Sequence, residues 1–258
     1  IDGTAYARED FSQQANQAIF DDVYTREAYN AFRQTIVDKD EIVKGTDEDG
    51  YNPNYRYAHF IDKTNTFDSQ GKTRKVFNTI AGDLFGYYNY TFGFEPYIKN
   101  IFEYPGYTIC KVQVHEFFES ANRATDGFIN SIKNLSDREK VKKIADYVSD
   151  RIVYNNTGSV GFCEMFTSTE PVNGVCGDYS SAFIYLCNRA DIPCVNIDDR
   201  EHAWNEVYVD GIWYTADISY YDVARTDEML LQTSYQRTDP NKAKTNFAKE
   251  LLVPGSTK

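Results

Sequence analysis

The stretch HAWNEVYVDGIWYTADISYYD, residues 202–222, decides the fold of this chain. Asp210 and Gly211 form the residue pair that is most typical of a two-residue β-turn, and the segments on either side alternate in polarity. The pattern therefore predicts a β-hairpin in which Val209 faces Ile212.

The predicted register brings two chemically useful side chains together. If both strands extend to the ends of the motif, Trp204 faces Asp217 and His202 faces Ser219. His202 and Asp217 are then diagonal neighbours on one face, with backbone positions about 7–8 Å apart, which long side chains can span. A slip of one residue would separate them.

The two faces of the predicted hairpin differ in polarity. The face suited to packing on a core carries Ala203, Val207, Val209, Ile212, Ala216 and Ile218. The opposite face carries His202, Trp204, Glu206, Thr215, Asp217 and Ser219. We therefore expect an antiparallel sheet that gathers its polar chemistry on one side.

A helix is predicted over residues 137–152. Ser136 followed by Glu139 forms a capping box, which satisfies free N–H groups at a helix start. The apolar stripe behind it is Val141, Ile144, Val148 and Ile152.

A second helix is predicted to begin at Cys176, after the glycine-containing run GVCG at 174–177. Its buried side would be Tyr179, Phe183, Leu186 and Ala190. It should end before Ile192, because the residue preceding a proline avoids helical geometry.

These elements combine a cysteine at a helix N-terminus with a His–Asp pair. Free N–H groups and a neighbouring imidazolium lower a thiol pKa from ~8.5 to about 3.5–7.5, so Cys176 would be a thiolate nucleophile. Asp217 would orient the ring of His202 and leave its other nitrogen to face the sulfur. The backbone N–H of Cys176 would donate to the oxyanion of a tetrahedral intermediate.

Three runs closely resemble the transglutaminase-like superfamily of papain-type cysteine enzymes, in its bacterial form, over about residues 126–225. They are SDREKVKKIADYVSDRIVYN (136–155), GVCGDYSSAFIYLCNRADIPC (174–194) and the hairpin motif at 202–222. The resemblance implies an α+β fold with a papain-like, transglutaminase-like core, in which the nucleophile helix packs on an antiparallel sheet. It also implies a catalytic triad of Cys176, His202 and Asp217.

Other positions near these motifs bear on the same site. Tyr154 matches a tyrosine common in bacterial relatives, and with Trp204 and Gly177 it is a candidate substrate-binding residue. Trp204 fits a substrate wall and core packing equally well. Asp191 stands where the family often has glycine, and aspartate tolerates left-handed backbone geometry better than most residues.

Composition bounds the class of protein. The 258 residues are 41% hydrophobic and 16% aromatic, which predicts a compact globular chain with a sizeable core. A net charge of −12 disfavours nucleic acid and anionic membranes as partners. No run approaches the ~20 apolar residues of a membrane-spanning helix, and because the sequence starts at Ile1 we expect any export signal to have been removed or left out.

We expect two regions along the chain: an N-terminal mixed α/β region, residues 1–125, packed on a catalytic core, residues 126–258. In the first region the spacing predicts helices within 8–37, a loop over 38–57, an ambiguous stretch at 72–104 and a strand over 108–115. Its many aromatic residues could line a substrate groove or only pack on the core.

Five cysteines cannot all pair, so at least one thiol stays free. No pair has C-x-x-C spacing and His115-Glu116 lacks the second histidine of a metalloprotease motif, so we expect no metal and no cofactor. A disulfide between Cys187 and Cys194 is compatible with the spacing but nothing in the sequence supports it. Cys163 would lie in a loop near the nucleophile.

The expected function is acyl transfer on amide bonds of peptide, protein or peptidoglycan-type substrates through a thioester. A bacterial extracellular or cell-surface peptidase or amidase is the leading interpretation. A protein-crosslinking transglutaminase is the alternative within the same chemistry, and peptide deglycosylation is a third. A surface-binding module with an inactive triad is the alternative from another class.

Overall fold

The computed structural model describes residues 55–61, 95–104, 107–115, 118–157 and 160–257. The chain comprises two compact units, residues 1–117 and 118–258. A boundary between residues 125 and 126 would fall within the first helix of the second unit, Glu119–Ile132. The predicted packing of an N-terminal region on a catalytic core stays a prediction.

The described part of the first unit is an antiparallel sheet in the order β1-β3-β2. Its strands are β1 (Tyr55–Ile61), β2 (Glu95–Tyr104) and β3 (Tyr107–His115). The predicted strand at 108–115 is confirmed, and the last part of the ambiguous stretch is strand β2. The loop predicted over 38–57 was too long, because residues 55–57 pair in β1. The helices predicted within 8–37 and the stretch 72–94 lie outside the described residues.

The second unit mixes helices and short strands. Its elements are α1 (Glu119–Ile132), α2 (Asp137–Arg151), β4 (Ile152–Tyr154), α3 (Glu164–Thr167), β5 (Val172–Gly174), α4 (Cys176–Arg189), β6 (Cys194–Asp198), β7 (Ala203–Val209), β8 (Ile212–Ala216), α5 (Ile218–Ala224), a 3₁₀ turn (Asp227–Met229) and α6 (Lys242–Leu252). The mixture is consistent with the predicted α+β class.

Helix α2 follows the prediction closely. Ser136 and Glu139 form the reciprocal capping box at its start. The predicted apolar stripe is buried: Val141, Ile144, Val148 and Ile152. The short strand β4 continues directly from the helix and pairs in parallel with β5.

Helix α4 begins at Cys176 and runs through the centre of this unit. Its predicted inner side is buried: Tyr179, Phe183, Leu186 and Ala190. The chain leaves the helix through Asp191, which has a left-handed φ of 60°. The sequence analysis expected aspartate to tolerate left-handed geometry at this position. This turn leads into β6, which starts at Cys194.

The sheet β6-β7-β8 contains the predicted hairpin in the predicted register, with Val209 opposite Ile212 and Asn205 opposite Ala216. Both turn residues have positive φ, 51° at Asp210 and 84° at Gly211, as a primed hairpin turn requires. Ile212 was predicted to be buried but is 50% exposed, because it lies at the closed end of the hairpin, directly after the turn.

The sheet lies between helices of the same unit. On one face, the side-chain amide of Asn205 donates to the carbonyl of Ser180 in α4 at 3.2 Å. On the other, Lys249 of α6 is paired with Glu206 and lies over the ring of Trp213. Among the described residues, no helix is both long enough and apolar enough to cross a membrane.

The predicted hairpin was too long at its open end. Strand β8 stops at Ala216, and Asp217 becomes the N-cap of α5 with its side chain accepting from the backbone of Tyr220. Trp204 therefore does not pair with Asp217, and Ser219 is helical rather than opposite His202. Aspartate is among the best N-cap residues, and this local signal ends the strand.

Candidate active site

The start of helix α4 is fixed by close packing of side chains around Gly174. A Cβ on Gly174 would lie 2.8 Å from Cγ2 of Ile152, so this position has no room for a side chain while β4 and β5 are paired. Two residues later the chain enters the helix, and the backbone N–H of Val175 donates to Oδ2 of Asp178 at 2.8 Å. Cys176 is thereby held in the first turn, where free N–H groups create a positive potential.

The thiol of Cys176 is half-buried and lies beside the side chain of His202. This contact lowers the pKa of Cys176 below its ordinary value, although burial acts in the opposite direction. The backbone N–H groups of Ala203 and Gly177 also face the sulfur and lower its pKa further. The surroundings therefore favour the thiolate.

His202 and Asp217 form a buried pair. Nε2 of His202 lies 2.6 Å from Oδ2 of Asp217, and the two side chains are 7% and 0% exposed. Because Nε2 is engaged by the carboxylate, Nδ1 is the ring nitrogen left to face the sulfur. The hydrogen bond to Asp217, followed by that to Cys176, raises the pKa of His202 to about 9.

Asp217 is kept ionised in a fully buried position by several donors. Burial alone would raise the pKa of Asp217, but hydrogen bonds from His202 and Tyr235 outweigh it and hold the pKa below its ordinary value. Oδ1 also accepts from the hydroxyl of Ser219 at 3.0 Å and from the backbone N–H of Tyr220 at 3.2 Å. The carboxylate is therefore oriented at both oxygens.

Two aromatic rings stack against the imidazole. The ring of Trp204 lies 6.0 Å from that of His202 with an interplanar angle of 18°, and the ring of Tyr220 lies 5.0 Å away at 21°. Aromatic faces attract a cation, so both contacts favour the protonated ring and restrict its rotation.

The backbone of His202 is fixed as well. Oδ1 of Asp199 accepts from the backbone N–H of His202 at 2.8 Å and from that of Glu201 at 3.1 Å. The other oxygen of Asp199 accepts from Nη1 of Arg237 at 2.7 Å. The turn before β7 thus fixes the backbone position of His202.

The structure brings together the three residues proposed from the sequence as a triad. The three candidate substrate-binding residues differ in how exposed they are. Trp204 is only 2% exposed, so its ring supports His202 and does not form an accessible substrate wall. Tyr154 is 47% exposed, and its pKa is raised by partial burial and by the nearby charge of Cys176. The Cα of Gly177 faces open space, since a Cβ there would meet no atom within 4 Å.

Sequence analysis missed three contributors: Tyr220, Tyr235 and Asp199. Tyr220 was missed because residues 218–219 were interpreted as strand, although Asp217 is itself an N-cap signal that could have indicated a helix. The Asp199 turn precedes the predicted motif by three positions. Tyr235 has no local signal, because its contact joins residues 18 positions apart.

Cys163, Cys187 and Cys194 do not form a disulfide. Cys187 and Cys194 are both buried and lie against each other as thiols, and burial followed by this contact raises the pKa of Cys187 well above its ordinary value. Cys163 is half-buried beside helix α3. Within the described part of the chain, no cluster of three or more His, Cys, Asp and Glu side chains could hold a metal ion.

Comparison with known proteins finds a family match for part of the chain. Residues 126–218 match the family described as the transglutaminase-like superfamily. The resemblance drawn from the cysteine, His-Ala-Trp and aspartate motifs is confirmed over these residues. This match supports a cysteine-dependent enzyme in general terms.

Curated proteins and solved structures provide two further comparisons. No curated protein matches the chain. Among solved structures, the chain is similar to "a Putative Cysteine Protease from Cytophaga hutchinsonii", with 17% identity, a TM-score of 0.31 and coverage of 44% of this chain and 52% of that one. The match spans about half the length of that protein.

Proposed function

We propose that this protein is a cysteine-dependent acyl-transfer enzyme that cleaves amide bonds of peptide, protein or peptidoglycan-type substrates. Cys176 is the nucleophile, His202 the general acid and base, and Asp217 the residue that orients the imidazole. The observation that carries the proposal is the position of His202, which lies beside the thiol of Cys176 and has Nε2 2.6 Å from the Asp217 carboxylate.

The proposed reaction begins with the Cys176 thiolate attacking the amide carbonyl carbon. As the C–N bond breaks, the imidazolium of His202 gives its proton to the departing amine, and the acyl group remains on sulfur as a thioester. The neutral imidazole then takes a proton from water, which attacks the thioester and releases the acid. The cycle returns the thiolate and the imidazolium and uses no cofactor.

The oxyanion of each tetrahedral intermediate would be stabilised by the backbone N–H of Cys176, at the positive end of α4. Open space beside Gly177 is consistent with close approach of a substrate backbone to this point. Tyr154 and Tyr220 are 47% and 37% exposed and offer aromatic surface beside the reactive pair. We assign them, rather than Trp204, to substrate contact.

A glutamine-containing peptide offered together with a primary-amine probe tests the proposal. Conversion of the peptide to its free acid without probe incorporation is the expected result, and Cys176→Ala should abolish it. Incorporation of the probe would instead identify a crosslinking transglutaminase, in which an amine resolves the thioester.

Cellular location and source are part of the proposal. Action on peptide or cell-wall amides fits an extracellular or cell-surface bacterial enzyme. The enzymatic proposal is wrong if two results are found together. The first is that no amide substrate yields either the free acid or the probe adduct, and the second is that Cys176→Ala binds the same surfaces as the wild-type protein. The chain would then be a binding module.

A further inference from the structure

Tyr235 contacts the same carboxylate oxygen as the imidazole. Its hydroxyl donates to Oδ2 of Asp217, the atom that lies 2.6 Å from Nε2 of His202. Tyr235 lies beyond residues 126–218, which match the transglutaminase-like superfamily. The contact therefore belongs to a part of the chain that the family match does not cover.

The position of this hydroxyl is built into the fold. Residues 231–240, here called the bracing segment, have no regular secondary structure. The segment is attached to β8 by two backbone hydrogen bonds between Gln232 and Thr215, at 2.8 and 2.9 Å. The ring of Tyr235 packs on Trp204 with centroids 5.3 Å apart.

The bracing segment reaches both carboxylates that hold His202. Tyr235 donates to Asp217, which binds the ring, and Arg237 donates to Asp199, which binds the backbone N–H. Contacts from one segment to both carboxylates that hold His202 point to a functional arrangement, because packing alone would not require a donor at Oδ2.

A donor at Oδ2 affects the two protonation states of His202 unequally. The hydrogen bond from Tyr235 is strongest when the carboxylate carries an uncompensated charge, which is the case once the imidazole is neutral. When the ring is an imidazolium, part of that charge is already neutralised, and the tyrosine gains less. The hydroxyl of Tyr235 therefore stabilises the state that follows proton donation.

Resting on the proposed acyl-transfer function, we propose that Tyr235 is a positioning residue that shares Oδ2 of Asp217 with His202 and thereby eases transfer of the imidazolium proton to the leaving amine. Without it the carboxylate would hold the charged ring too firmly. Tyr235 itself stays protonated, because burial followed by its bond to Asp217 raises its pKa.

Several other groups around His202 also influence its protonation state. They are Cys176 from α4, Asp217 at the start of α5, Tyr220 from α5, Trp204 from β7, and Asp199, Glu201 and Arg237 near the backbone. Asp217 and the Cys176 thiolate favour the imidazolium, and the aromatic faces act in the same direction. Tyr235 has the opposite effect, because its hydrogen bond to the Asp217 carboxylate favours the neutral imidazole.

The test is the variant Tyr235→Phe, which keeps the ring on Trp204 and removes the hydroxyl. The sequence has three histidines, so NMR titration can follow the imidazole of His202, with His202→Ala identifying its signal. We expect the pKa of His202 to rise by roughly one unit, since hydrogen bonds to charged groups are the strong ones. Introducing 3-fluorotyrosine at position 235 strengthens the donor without disturbing packing and should lower the pKa of His202.

Leaving-group dependence provides the second measurement. With a blocked glutaminyl p-nitroanilide, whose amine must be protonated, Tyr235→Phe should reduce the acylation rate by about 3–10-fold. With the matching p-nitrophenyl ester, whose leaving group needs no proton, the rate should be unchanged. Tyr208→Phe is the control, because Tyr208 of β7 packs on Trp213 of β8 with ring centroids 5.2 Å apart, and its substitution should alter neither quantity.

Three results would overturn the proposal. A fall in the pKa of His202 toward 6.5 in Tyr235→Phe would mean that the tyrosine only keeps the ring in place. An unchanged pKa would mean that the shared oxygen has no influence, and equal losses with anilide and ester would exclude a role in proton donation. If the wild-type protein turns over neither substrate, the proposed function is in doubt, and the NMR titration still decides the role of Tyr235.

Discussion

Nε2 of His202 lies 2.6 Å from Oδ2 of Asp217, although no strand pairing aligns the two residues. His202 precedes β7, and Asp217 follows β8 as the N-cap of α5. The carboxylate therefore has two tasks, since it accepts from the imidazole and from the backbone N–H of Tyr220. Folding of α5 and orientation of the imidazole depend on the same side chain.

Replacing Asp217 with asparagine should separate these two tasks. Asparagine caps helices as well as aspartate, so α5 should remain folded. The neutral amide cannot stabilise an imidazolium, and the pKa of His202 should fall from about 9 toward 6.5. We expect the rate of amide cleavage to decrease by about 10²–10⁴-fold.

Steady-state kinetics and NMR titration of His202 check this prediction, with circular dichroism as the control for folding. A folded Asp217→Asn variant with wild-type activity would show that the carboxylate does not orient the catalytic ring.

The raised pKa of His202 predicts a specific pH dependence of thiol alkylation. The imidazolium should persist through neutral pH and lose its proton near pH 9. Below that pH its charge attracts an anionic reagent, so the rate with iodoacetate should fall as the pH rises through about 9. The rate with neutral iodoacetamide should not fall.

Parallel decline of both alkylation rates, or no decline with iodoacetate, would contradict this charge assignment. In His202→Ala the difference between the two reagents should disappear, because the group that attracts the anion has been removed.

Gly174 should be intolerant of a side chain. In Gly174→Ala the new Cβ would lie 2.8 Å from Cγ2 of Ile152 and 3.1 Å from the Asp178 side chain. Overpacking of this kind lowers the free energy of unfolding by about 1–3 kcal/mol. It should also slow alkylation of Cys176, because the start of α4 must shift.

Gly127→Ala is the matched control for Gly174→Ala. Gly127 lies on the exposed side of α1 with open space around its Cα. Alanine there should raise the free energy of unfolding by about 0.5–1 kcal/mol, because it is the better helix former. Urea unfolding that shows equal effects at the two positions would refute the packing argument.

The left-handed residue after α4 gives a further prediction. Asp191 has a φ of 60°, so a β-branched residue should be strained there. Asp191→Val should lower the free energy of unfolding by about 1–2 kcal/mol, whereas Asp191→Gly should change it by less than about 0.5 kcal/mol. Equal stability of the two variants in urea would show that the turn rearranges at no cost.

Much of the second unit could be predicted because its signals are local. The Asp210-Gly211 turn determined the register from Val209 to Asn205, and the capping box at Ser136 determined where α2 begins. Each signal acts within a few residues and is not overridden by tertiary contacts.

The predicted pairing of His202 with Asp217 was correct for a partly wrong reason. The hairpin was extended through residues 217–219, whereas the chain turns into α5 after Ala216. The two side chains still meet, because the N-cap lies next to the end of β8. A period-two pattern could not reveal this change, since Ile218 and Ser219 fit a strand as well as a helix.

The supporting residues could not be predicted in the same way. Tyr235 reaches Asp217 from an irregular segment, and Arg237 reaches Asp199 across 38 positions. Such contacts depend on the path of the chain after the hairpin, which neither periodicity nor turn chemistry specifies.

The central claim is that His202 activates Cys176, and selective alkylation tests it most directly. Native protein is treated with iodoacetamide at pH 6, and the label is located by mass spectrometry. Because an ordinary thiol is almost fully protonated at pH 6, Cys176 should react about 100-fold faster than the thiol of an unstructured cysteine-containing reference peptide, and His202→Ala should abolish the difference. Labelling of Cys176 no faster than that of the reference peptide, or rapid labelling that survives His202→Ala, would contradict the account.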